Sequence, residues 1–206
     1  MSLTREQLAQ QIIDAGRFLY GRGWSPATSS NYSTRLSATE ALLTVSGKHK
    51  GQLGMDDVLA TDMSGSSLEP GKKPSAETLL HTQLYNWRAD IGAVLHTHSV
   101  NATVLSRLLQ GPVITFEDYE LQKAFSGIST HESRVRVPIF DNDQDIERLA
   151  SKVQPWLDDH PDCVGYLIRG HGLYTWGPKM SDALRQIEAF EFLFECELKM
   201  RALINR

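Results

Sequence analysis

From Thr4 to about Tyr20, the residues Leu8, Ile12, Ala15 and Leu19 recur three or four positions apart, and Gly21 and Gly23 end the run; this spacing predicts an amphipathic helix. Three short strand-like segments follow, NYSTRLS, ALLTVS and VLATDM, divided by glycine and polar residues. A turn-rich SGSSLEPGKKP then leads into SAETLLHTQLYNWR, where Leu80, Leu84 and Trp87 have helical spacing behind Ser75, the expected helix cap. The apolar run Ala93-Val94-Leu95 reads as a strand, Val100 to Leu109 as a helix, PVITF as extended, EDYELQKAF as a short helix or loop, and RVRVPIF as a strand. DQDIERLASKVQPWL is a helical pattern expected to break or end near Pro155. CVGYLIRGHGLYTWG reads as two strands around a glycine-flanked turn, and a long helix from Ser181 to Asn205 carries Leu184, Ile187, Phe190, Phe194 and Leu198 on one face. No repeat or linker interrupts this alternation, so residues 1–206 are expected to form a single α/β domain, and local order alone suggests a parallel sheet.

Composition narrows the function more than the fold. Lys and Arg number 21 against 25 Asp and Glu, a net charge of -4, which gives no electrostatic footprint for nucleic acid or an anionic membrane. MSLTREQLAQQ lacks the apolar core of a signal peptide, and no run approaches the ~20 apolar residues of a membrane span, so a cytoplasmic protein is expected. Cys163 and Cys196 lie far apart without CxxC spacing and read as reduced structural thiols.

Chemistry concentrates in the histidines. In GAVLHTHSVNA, side chains at i and i+2 of an extended strand leave one face, so His96 and His98 project together where the strand ends. Such a pair suits a metal, although paired histidines also serve as satisfied polar residues at strand ends. His171, bracketed by Gly170 and Gly172 in IRGHGLY, supplies a third nitrogen, and three imidazoles describe an open catalytic site more readily than a closed structural one. His49, His131 and His160 sit in polar, loop-like contexts, whereas His81 lies one helical turn from Glu77 and is a candidate neighbour of the site. For anions, Thr28 to Ser33 offers hydroxyls, an amide and backbone N–H groups, VSGKHKG adds Ser46, Gly47 and Lys48, and Ser75 stands at a helix start, although turns and caps explain each of these singly. With no GxxxxGK[ST] and no GxGxxG, phosphate is expected as part of a small substrate and not of a nucleotide.

The ordered set TSSNYS, VSG, KPSAETLLH, HTHS and RGHG resembles the class II aldolase/adducin family over nearly the whole chain. The resemblance implies a three-layer α/β/α fold with a largely antiparallel central sheet, in conflict with the local reading of a parallel one. It also implies a divalent metal, zinc by preference and one per subunit, on His96, His98 and His171, with Glu77 as metal ligand or acid/base group. The phosphate-binding positions fall on Thr28, Ser30, Asn31, Ser46, Gly47 and Ser75, with Ala76 standing where aldolases often carry a second serine. GWSPATSSNYS, FEDYELQKAF and GHGLYTWG look most like members that remove water from a phosphorylated ketose, whose acid/base glutamate falls on Glu120. Aldol cleavage of a ketose 1-phosphate is the alternative, and a non-catalytic, adducin-like interaction module is a third reading. A homotetramer with sites near subunit boundaries is the implied assembly.

Overall fold

The computed structural model describes residues 3–204; the expected helix end at Asn205 lies outside them. Eight strands form one sheet in the order β3-β2-β1-β4-β8-β7-β6-β5. They are β1 Asn31–Arg35, β2 Glu40–Thr44, β3 Val58–Asp62, β4 Ala93–Thr97, β5 Val113–Phe116, β6 Val135–Phe140, β7 Gly165–Ile168 and β8 Gly172–Gly177. The helices are α1 Arg5–Gly21, α2 Thr78–Trp87, α3 Val100–Leu108, α4 Ile146–Asp159 and α5 Met180–Ile204. Ile12, Leu19, Leu105, Ile187 and Phe190 from α1, α3 and α5 pack on one face of the sheet, against Tyr32, Leu95, Leu167 and Leu173. Leu80, Leu84, Leu149 and Val153 from α2 and α4 pack on the other, against Val94, Tyr166, Tyr174 and Trp176. The strands alternate between these two cores because successive side chains leave opposite faces, and the result is the α/β/α sandwich.

The sheet is mostly antiparallel, which corrects the parallel sheet suggested by local order. Among the described residues only β6 and β7 run parallel, because there α4 alone returns the chain to a neighbouring strand in a β-α-β crossover. Helices α2 and α3 instead carry the chain between strands that are not neighbours. Two local expectations also change. Pro155 lies inside α4 without ending it; it is exposed, as is Ser151 one turn earlier, whose carbonyl loses the helix donor that proline lacks. Ser75 does not cap α2. Glu77 occupies the N-cap position and makes no side-chain cap bond, while Thr78 Oγ1 donates to the Ser75 carbonyl at 2.6 Å and fastens the turn before the helix.

Candidate metal centre and its cleft

Val94 faces the α2/α4 core, so His96, two residues on, leaves β4 on the same side. Beside it, β1 places Asn31 directly opposite His96, and β8 places Leu173 opposite Thr97. The β7–β8 turn then carries His171 over the end of β4, and the start of α2 brings Glu77 to the same point. One ligand atom from each of Glu77, His96, His98 and His171 falls within 4.8 Å of all the others. Segments far apart in sequence therefore converge on one spot.

Hydrogen bonds fix which nitrogens face inward. His96 Nδ1 lies 2.9 Å from the Leu173 carbonyl, which can only accept, so Nδ1 carries the proton and Nε2 a lone pair. His171 Nδ1 donates in the same way to Asn142 Oδ1 at 3.3 Å. The two Nε2 atoms are 3.3 Å apart, and Glu77 lies 3.4 Å from the first and 3.2 Å from the second. Lone pairs and a carboxylate facing one another without a proton between them are repulsive until a cation neutralises them, and the set fits a divalent metal. Burial, followed by the charge of His171, drives the His96 pKa well down. Burial and the neighbouring His96 and His171 push His98 down to about 2. Both rings are held neutral, the state a ligand needs. Tyr174 stacks on His96 at 4.0 Å and fixes its plane.

Glu77 is oriented by a relay that the sequence did not disclose. Asn31 Nδ2 donates to Glu77 Oε2 at 2.7 Å, which leaves Asn31 Oδ1 to accept from His81 Nε2. His81 Nδ1 must then accept from the Ser33 hydroxyl at 2.7 Å, and Ser33 in turn accepts from Tyr85 at 2.7 Å. Every donor meets an acceptor, so the carboxylate is held by a buried chain with a single direction. His81, a candidate neighbour from its spacing, is thus joined to the centre through Asn31. Ser33 and Tyr85 gave no signal beyond their strand and helix patterns.

Glycines shape the turn. Gly170 has φ +67°, the left-handed region, and a Cβ on Gly172 would collide with the Thr97 carbonyl of the neighbouring strand. Their role is conformation and close strand contact more than space around the imidazole.

The centre opens into a cleft of about 290 Å³ whose lining includes His98, His171 and Glu77 together with Thr28, Ser30, Ser46, Gly47 and Ser75. Asn31 also lines it, with its amide already committed to Glu77 and His81. Ser30, at φ +71°, has a buried hydroxyl without a partner. Lys50 lines the cleft too, although sequence reading singled out Lys48, which pairs with Asp57 at 2.9 Å. Glu120 is not among the lining residues: its side chain is 73% exposed and is paired with Lys123 at 2.5 Å.

The mixed sheet of an α/β/α sandwich and the Glu77/His96/His98/His171 cluster point to one class of protein, and comparison with known proteins shows the family. The profile of the Class II Aldolase and Adducin N-terminal domain matches residues 10–198, and the chain belongs to that family. It is 87% identical over 206 residues to the methylthioribulose-1-phosphate dehydratase of Pseudomonas fluorescens (strain Pf0-1), covering 100% of this chain and 99% of that protein. The protein of the same name from Azotobacter vinelandii is 81% identical over 206 residues, with 100% of both chains covered. Among solved structures, an L-fuculose 1-phosphate aldolase superposes with a TM-score of 0.80 at 19% identity, over 98% of this chain and 89% of that one. The L-fuculose-1-phosphate aldolase of Thermus thermophilus gives 0.79 at 24% identity, over 98% of this chain and 100% of that one. These two share the fold.

Proposed function

We propose that the chain is a hydro-lyase that converts 5-methylthioribulose 1-phosphate to 2,3-diketo-5-methylthiopentyl 1-phosphate and water, a step of methionine salvage. The observation that carries this reading is full-length identity of 87% to a methylthioribulose-1-phosphate dehydratase, in a chain whose Glu77, His96, His98 and His171 stand together. The metal is zinc, which accepts three imidazoles and a carboxylate oxygen. When bound, it supplies Lewis-acid polarisation of the substrate carbonyl and stabilises the charge that develops as the C3 proton leaves.

The chain's own residues do the rest. Thr28, Ser30, Ser46, Gly47 and Ser75, with Asn31 at their edge, hold the phosphate and so set the distance from C1 to the histidines. Glu77, aligned by Asn31, would join His96, His98 and His171 in holding the metal. Glu120 takes the C3 proton as a carboxylate and returns it to the C4 hydroxyl, which leaves as water; the resulting enol tautomerises to the 2,3-diketone. Lys123 beside it lowers the pKa of the exposed Glu120, so the acid role requires a drier surrounding. A neighbouring subunit provides one. Val100, Val104 and Leu108 form an exposed apolar row on α3, and Phe192, Met200 and Leu203 form another on α5, which packs against α3. Covering these rows in a homotetramer accounts for their exposure and carries Glu120 toward another copy's cleft.

Proton NMR of the purified protein with 5-methylthioribulose 1-phosphate, before and after chelation, tests the reading. The diketone's C4 methylene should appear only with metal present, whereas glycolaldehyde- or dihydroxyacetone phosphate-type products would make the chain an aldolase.

A further inference from the structure

Lys50 is an anomaly that the metal chemistry does not use. The residue is 2% exposed, on a single 3₁₀ turn over Lys50–Gln52. A buried ammonium ordinarily meets a carboxylate, because an uncompensated charge away from water is costly. Among the described residues none lies within ion-pair distance of this one. Instead Nζ donates to two main-chain carbonyls, Thr28 at 3.2 Å and Lys48 at 2.7 Å. An ammonium has three N–H groups, so one is left over.

The surroundings indicate where it points. Among the described residues Lys50 is the only Lys or Arg lining the cleft, which also contains two carboxylates, Glu77 and Asp143. Asp143 is neutralised from outside by Arg148 at 2.5 Å and Lys152 at 3.1 Å. The other anion-binding groups, Ser30, Ser46, Gly47 and Ser75, are neutral, and the Ser30 hydroxyl is both buried and unpartnered. A phosphate monoester carries a charge of about −1.5 to −2 near neutral pH, and neutral donors alone would leave that charge poorly balanced. The position of Lys50 is also firmly held: its carbonyl sits against Gly16 of α1, where any side chain would strike it. Burial lowers its pKa to about 8, which leaves it mostly protonated at pH 7.

We propose that Lys50 is the cationic ligand of the substrate's phosphate group, directing its free N–H into the cleft beside Ser30. This rests on the phosphorylated-ketose reading of the cleft and names the residue that balances the phosphate's charge. The two carbonyls hold the ammonium in place without neutralising it, so the charge remains available to an incoming anion.

Inorganic phosphate binding to the metal-loaded protein, measured by calorimetry, is the direct test, because it needs no turnover. Removing a charge-assisted bond should weaken phosphate by about 10- to 100-fold in Lys50→Met, with metal content unchanged, and should raise KM more than it lowers kcat. Lys50→Arg keeps the charge and should recover part of the affinity. In the unsubstituted protein, the ¹⁵N resonance of the Lys50 ammonium should move on phosphate titration, a reading that stands even if both variants fail to fold. Unchanged phosphate affinity and KM in folded Lys50→Met, or a motionless ammonium resonance under saturating phosphate, would overturn the assignment. Phosphate held through Lys50 in a protein that does not dehydrate the ketose would instead sink the proposed reaction and leave this assignment standing.

Discussion

His81 shows how much a single buried side chain can control. It touches neither the cleft nor the other histidines' ligand atoms, yet the Tyr85–Ser33–His81–Asn31 chain reaches Glu77 only through it. Burial pushes its pKa down to about 3, while the unfolded chain takes up that proton below ~6.5. The unfolded state therefore binds more protons between those values, and stability falls as the pH falls through the window, by up to about 1.4 kcal/mol per pH unit for one site. Denaturant midpoints of the metal-loaded protein at successive pH values should show a slope to which His96 and His98, also held neutral, contribute, and His81→Gln should lessen it by one site's share; equal slopes would show that His81 is not buried as a neutral ring. Lys50 and the relay were illegible in sequence for a common reason. Both depend on which backbone carbonyl or hydroxyl ends up beside a side chain, and that is settled by strand register and helix docking. His96, His98 and His171 were legible because a spacing of two on a strand end and a glycine-flanked turn are local patterns.

The elements were legible where periodicity was strong. The spacing of α1, the two strands around Gly170 and the apolar face of α5 predicted them closely. Ser75 misled because a serine before an apolar run has the pattern of a cap, whereas Thr78 ties the turn to the Ser75 carbonyl and leaves the N-cap position to Glu77. That displacement matters, since a carboxylate at the helix start, unused in capping, is free to face the histidines. The contact of β8 with β4 is equally consequential. Gly172→Ala would press a methyl group onto the Thr97 carbonyl between His96 and His98. The strands must then separate, and the variant should lose about 1–3 kcal/mol of stability together with much of its metal affinity. Thermal unfolding and metal analysis measure the two losses, and an unchanged metal content would show that the strand contact does not set the site.

At the scale of the molecule, the sheet's direction was beyond local reading. A helix between two strands implies a parallel pair only if the strands become neighbours, and only β6 and β7 do. The resemblance to the family supplied what periodicity could not. The exposed rows on α3 and α5 lead to a prediction about assembly. Glu120→Gln and His96→Ala should each be inactive, but unfolding and refolding them as a mixture should restore part of the activity, because one subunit's Glu120 then meets another's intact histidines. Assay of the mixture against the separate variants tests this, and no recovery in a demonstrably mixed oligomer would confine Glu120 to its own subunit.

The wide sequence separation of Glu77, His96, His98 and His171 also bears on how the chain reaches its native state. No hairpin or early helix pair contains the set, so affinity for the ion arises only after β1, β4, β8 and the start of α2 have closed their long-range contacts. Such non-local closure is slow. The full ligand set therefore exists only in the finished arrangement, and an ion bound by all four residues would stabilise that arrangement over partly formed ones, in which His96 and His98 alone are neighbours.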